Sequence, residues 1–158
     1  MDPKRELLRH GLATVAYRGG KALRGAPADF AAFKAGDTCR TPSGVLAHIG
    51  DLYDWALFLA KGEQVWHDSL PLPWDQEVER FFRTVAAFDT YLASDRPLGF
   101  SAEKLLQGPV ADSLTHIGQI NMLRRLAGAP VRGESYFKAD VVVGRVGPEQ
   151  TAPGREFG

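Results

Sequence analysis

Three residues in this chain, His48, Asp112 and His116, have the types and spacing of a metal site. Asp112, His116 and Gln119 stand at i, i+4 and i+7, and 3.6 residues per turn bring them onto one face of a helix. That face continues as Leu123 and Leu126, which predicts that Asp112, His116 and Gln119 lie in a core-facing stripe. His48 stands in a second apolar stripe with Val45, Leu52, Trp55 and Leu59. Burying two imidazoles and a carboxylate without partners costs on the order of several kcal/mol. A divalent ion on His48, Asp112 and His116 answers all three groups, and leaves coordination positions open for water or substrate. The same spacing is met by a buried His–Asp hydrogen-bonded pair with an unrelated core histidine, and spacing alone leaves both readings open.

The elements that must carry these residues are helical. Asp2 followed by Pro3 marks the start of a first helix with the stripe Leu8, Leu12, Val15, Gly19 and Leu23. Within it Gly19-Gly20 reads as close packing. Gly25-Ala26-Pro27 ends it, and 28–40 reads as a crossing with one short turn near Phe30 and Phe33. Thr41-Pro42 opens a second helix to about Gly62. A loop from Gly62 to Trp74 follows, then a third helix from about Asp75 to Ser94. A short turn at 102–107, a break at Gly108-Pro109 and a fourth helix from Pro109 to Ala127 complete the set. The expectation is an all-α fold, a four-helix bundle over about 3–128 of a single domain spanning 1–158. The tail at 129–158 reads as extended, with Val141-Val142-Val143 its one candidate strand. The two long connections leave the order of helices in the bundle open.

Composition bounds the function. Nineteen basic and nineteen acidic residues give zero formal charge, which argues against a nucleic-acid partner; Arg124-Arg125 is too short a cluster to change that. No apolar run approaches the ~20 residues of a membrane span, the N-terminal residues lack a signal-peptide core, and Cys39 is alone. The expectation is a cytoplasmic protein with no membrane partner. Cys39 just before the second helix is either an activated thiol or a small buried hydrophobe.

Four lesser candidates surround the trio. Gln119 is read as orienting a ligand or as a packing amide. Asp51, one turn after His48, is read as a solvated acid or as an acceptor for that imidazole. Trp55 lies in the His48 stripe. His67 shares its loop with tryptophans that could fold over the bundle mouth, and is read as solvated or as a fourth ligand. His10 falls on the outer face of the first helix. Val110, Leu114 and Ile117 lie opposite the Asp112–His116 face, which calls for a cover: the tail with Tyr136 and Phe137, or a second subunit.

The stretches 44–55 (GVLAHIGDLYDW) and 114–120 (LTHIGQI) resemble the two metal-bearing helices of the DinB-like family of four-helix bundles. That family includes stress-associated proteins and thiol-dependent S-transferases. Its usual pattern is one histidine on the second helix and a His-x3-His pair on the last, followed closely by Gly-Gln. His48 matches the first, and His116, Gly118 and Gln119 match the end of the second; Asp112 stands where the pair's first histidine is usual. The resemblance implies a divalent metal in the bundle, a small-molecule substrate, hydrolysis or thiol S-transfer, and a homodimer, which favours a second subunit as the cover. Aspartate is a harder donor, so zinc, nickel, iron and manganese become comparable choices. It could also serve as a base beside a two-histidine metal, or mark a site that has lost its activity. The alternative to an enzyme is a stress-response or interaction protein whose polar cluster only stiffens the bundle.

Overall fold

The computed structural model describes residues 2–158, and its architecture is all-α with a minimal two-stranded sheet. The long helices are α1 (Pro3–Leu23), α2 (Pro42–Ala60), α3 (Trp74–Ala93) and α5 (Ala111–Leu126), with a single-turn α4 (Ala102–Leu105) before the last. Local chemistry sets their starts. The Asp2 side chain accepts from the Lys4 amide, and Thr41 accepts from the Gly44 amide at 3.1 Å. In both, proline at the first helical position gives up an amide that has no partner there. Gly25, with φ of +67°, lets the chain leave α1 through a conformation that costs other residues strain. The short turn near Phe30 is a 3-10 turn, Phe30–Ala32, and it buries the Phe30 ring.

Helix α2 packs on α3 and α5, and α1 packs on the same two. The bundle therefore runs α1–α3–α2–α5 around its axis, with α1 diagonal to α2. The connection at 24–41 crosses that diagonal, and the one at 61–73 joins neighbours. Tyr17, Tyr53, Phe81, Phe88, Leu12 and Ile49 fill the centre. Gly19 is a packing glycine, as its sequence context suggests: a Cβ there would lie 2.5 Å from Phe81 Cζ.

Two expectations about the second half are corrected. Gly108-Pro109 does not break the chain into a turn and a helix. Leu106–Val110 form one π turn that joins α4 to α5 without interruption. Pro109 has no amide to donate, and the wider turn lets Ala111 donate to the Leu106 carbonyl five residues back. The tail's strand is not Val141-Val142-Val143, which have no ladder partner. It is β1 (Gly133–Glu134) paired antiparallel with β2 (Glu156–Phe157), in the register Gly133 to Phe157. This pairing forms because Glu134 is anchored: Tyr17 donates to one carboxylate oxygen, and Lys21 meets the other at 2.8 Å. The tail thus lies on α1, where Tyr136 packs edge-on against Tyr17. No helix among the described residues is long and apolar enough to cross a membrane.

Candidate metal centre

Helices α2 and α5 meet through a buried hydroxyl pair. Tyr53 and Ser113 lie 2.6 Å apart, and Ser113 donates to the Val110 carbonyl at 2.8 Å, so Tyr53 supplies the proton between the hydroxyls. Burial raises the Tyr53 phenol well above its ordinary pKa, which keeps it a donor. Ser113 follows Asp112 directly, and Tyr53 lies five residues beyond His48. This one contact fixes the register in which His48 faces Asp112 and His116. Neither hydroxyl was singled out from sequence, where Ser113 sits unremarked between Asp112 and Leu114.

The trio converges. Asp112 Oδ1 lies 3.5 Å from His116 Nε2, and Asp112 Oδ2 lies 3.9 Å from His48 Nε2. One ligand atom from each residue falls within 4.8 Å of the others. The two imidazoles stand nearly perpendicular, at 83°, with ring centroids 4.6 Å apart. Four-coordinate zinc with bonds of about 2.0–2.1 Å needs ligand atoms roughly 3.3–3.5 Å apart. The Asp112–His116 pair meets that spacing, and the Asp112–His48 pair, at 3.9 Å, is longer.

Tautomer decides what the cluster can do. His116 Nδ1 lies 2.8 Å from Gln119 Oε1. The amide oxygen can only accept, so Nδ1 carries the hydrogen and Nε2 presents a lone pair towards Asp112. In the neutral ring two acceptors then face each other, and a cation between them, a proton or a metal ion, balances the pair. At 3.5 Å the separation is also long for a direct His–Asp hydrogen bond. Gln119 thus bonds the imidazole of His116, the contact that an orienting residue would make. The His48 imidazole has its pKa lowered, first by burial and then by Arg40 and His116, which keeps it neutral and able to bind metal at pH 7.

The trio's place on α5 differs from the wheel. The face that enters the core carries Val110, Ser113, Ile117, Ile120 and Arg124. Asp112 and His116 sit at its edge, with side chains 46% and 12% exposed, and Leu126 is 58% exposed. The apolar residues opposite the trio are thus covered by the bundle itself, not by Tyr136 or Phe137; the Phe137 side chain projects fully into solvent. Sequence misjudges this face because Arg124 looks like a surface residue. Its guanidinium is buried among the carbonyls of Ala22, Arg24, Gly25 and Ala129, closing the ends of α1 and α5 together.

Asp51 is neither solvated nor bound to His48. It is 1% exposed and accepts from the Ser69 amide (2.9 Å), the Ser69 hydroxyl (2.7 Å) and Arg80 (2.6 Å). Arg80 is the missed partner: it also bonds Asp54 at 2.9 Å and the Ala47 carbonyl. Glu77 takes the Leu72 amide at 2.9 Å. These carboxylates pin the coil at 62–73 to the bundle. That coil places Trp66 edge-on to His48, with centroids 5.6 Å apart, and Trp55 braces Trp66 at 5.9 Å. Trp55 thus meets the neighbourhood of His48 through Trp66. His67 turns instead to Phe58, 6.2 Å away, and is exposed, so it is not part of the cluster. Cys39 is exposed rather than buried, and His10 is on the surface as expected.

Two grooves flank the trio. One, of about 450 Å³, runs from His116 along α5 to Arg40 at the start of α2. The other, of about 410 Å³, opens between Trp55, the π turn and Asp112. No protein-family model, curated protein or solved structure matches the chain.

Proposed function

We propose that His48, Asp112 and His116 hold a divalent metal ion, and that the protein is a metal-dependent enzyme of the DinB-like type acting on a small molecule. The observation that carries this reading is the convergence of two imidazole nitrogens and a carboxylate within 4.8 Å on two helices. A divalent ion there would supply Lewis acidity towards water, a thiol or a carbonyl oxygen, the chemistry of hydrolysis or thiol S-transfer. Two nitrogens and one oxygen suit zinc, nickel, iron or manganese. The chain's own groups do the rest. Gln119 holds the His116 tautomer, the Tyr53–Ser113 pair sets the spacing of the two helices, and Trp66 covers one side of His48. Asp112 stays half open to solvent between the two grooves. That openness favours a reactive centre over a closed structural cluster, which protein groups would surround on all sides.

Elemental analysis of the purified protein beside His116→Ala tests the reading. Near-stoichiometric metal is expected in the wild type and its loss in the variant; equal, near-zero metal in both overturns the proposal. Gln119→Leu separates orientation from ligation. Gln119 is exposed, so the fold is expected to survive while metal affinity falls roughly 10- to 100-fold.

A further inference from the structure

The groove beside His116 has a chemistry distinct from the trio. Val45, Met122, Leu123 and Leu126 line it, and Met122 and Leu126 remain 57% and 58% exposed. Its volume of about 450 Å³ suits a small molecule. Among the described residues, Arg40 is the one arginine or lysine in its wall, and no aspartate or glutamate lines it. None of the ion pairs that organise the rest of the molecule takes up Arg40, which is exposed. The groove thus offers an apolar body, a cationic handle near the start of α2, and His116 in its wall.

We propose that this groove binds a small carboxylate with an apolar alkyl or aryl body, its anionic group paired with Arg40 and its body lying against Met122 and Leu126. Charge complementarity selects the anion, and the exposed side chains select the body. Bound this way, the ligand lies alongside His116 and within reach of the centre proposed above. Its role as substrate rests on that reading; its binding does not.

Isothermal titration calorimetry of octanoate into the EDTA-treated protein at about pH 8 tests the site without metal. Octanamide serves as the uncharged control. Saturable octanoate binding is expected in the wild type. Arg40→Gln should weaken octanoate roughly three- to fivefold, the strength of an exposed ion pair, and leave octanamide unchanged. Leu126→Glu should weaken both ligands, octanoate more. Both positions are exposed, and circular dichroism checks that the variants fold. Absence of octanoate binding overturns the proposal, as does binding that neither variant changes or an equal loss of both ligands in Arg40→Gln. Metal uptake without octanoate binding sinks the groove alone; octanoate binding without metal uptake sinks the metal centre alone.

Discussion

Replacing Asp51 by alanine tests whether a buried ion pair that supplies no ligand atom shapes the candidate centre. The Asp51 carboxylate is 1% exposed and accepts three hydrogen bonds, two from Ser69 and one from Arg80. Breaking a buried pair by removing one partner costs about 3–5 kcal/mol, because the other charge is left in a poor dielectric. Arg80 would not be left bare here. It keeps Asp54 at 2.9 Å, the Ala47 carbonyl at 3.1 Å and Glu77 at 3.8 Å. Ser69 is exposed, so water can replace its lost acceptor. These compensations put the expected loss at the low end, about 2–4 kcal/mol.

Urea unfolding gives the first readout, as a lower midpoint with an unchanged slope. The second is local. The Ser69 amide donates to Asp51, so its hydrogen exchange should be protected in the wild type and close to unprotected in the variant. The coil that carries Trp66 then loosens, and metal affinity should fall with it although no ligand atom has changed. A stability loss below about 1 kcal/mol refutes the buried-pair reasoning. A large loss with Ser69 still protected refutes the claim that Asp51 holds the coil.

The same carboxylate fixes a pH dependence. Burial alone would raise the Asp51 pKa, but the Ser69 amide and hydroxyl and the Arg80 guanidinium outweigh it and hold the group below its ordinary value. A depressed pKa means that the stabilisation is full above about pH 4 and is lost as pH falls through the native value; the gap in urea midpoint between wild type and Asp51→Asn should therefore narrow in acid, and a constant gap counts against it. Gly19→Val should cost about 2–3 kcal/mol in thermal or urea unfolding, since its Cβ would meet Phe81 Cζ at 2.5 Å and Ile117 Cδ1 at 3.3 Å. Gly11→Ala is the control: its Cβ would find Val110 Cγ1 at an ordinary 3.5 Å, so helix propensity should dominate and stabilise by up to about 1 kcal/mol.

How much of this was legible in the sequence follows the range of the interactions. Asp2-Pro3 and Thr41-Pro42 announce helix starts because a cap is a contact between neighbours along the chain. The π turn is also local, yet Gly108-Pro109 conceals it, since the same pair signals a break unless the next amide reaches five residues back. Asp51 looked solvated because its partners, Ser69 and Arg80, lie 18 and 29 residues away. Arg124 looked like surface for the same reason: its carbonyl partners on α1 lie about a hundred positions earlier in the chain. The core face of α5 could be assigned only once that guanidinium was placed inside. Val141-Val142-Val143 has strand propensity without a tether, whereas Glu134 has a tether in Tyr17 and Lys21, and the tether prevails.

Moving the trio from the core to the rim changes what argues for a metal. A fully buried histidine–aspartate cluster would need a partner simply to offset its desolvation, and nearly any hydrogen-bonding neighbour would do. With Asp112 46% exposed, water already satisfies much of that demand, and burial no longer forces an ion into the site. What water does not explain is direction. Gln119 turns the His116 lone pair towards the carboxylate, and His48 stays neutral on the facing helix beneath Trp66. Tyr53 and Ser113 hold the two helices at the separation that lets these three donors meet. This convergence of three donors supports the metal proposed for the site. The rim also leaves Asp112 open to the groove beside Trp55 and His116 open to the one that runs to Arg40, the access that the proposed reactive centre would need.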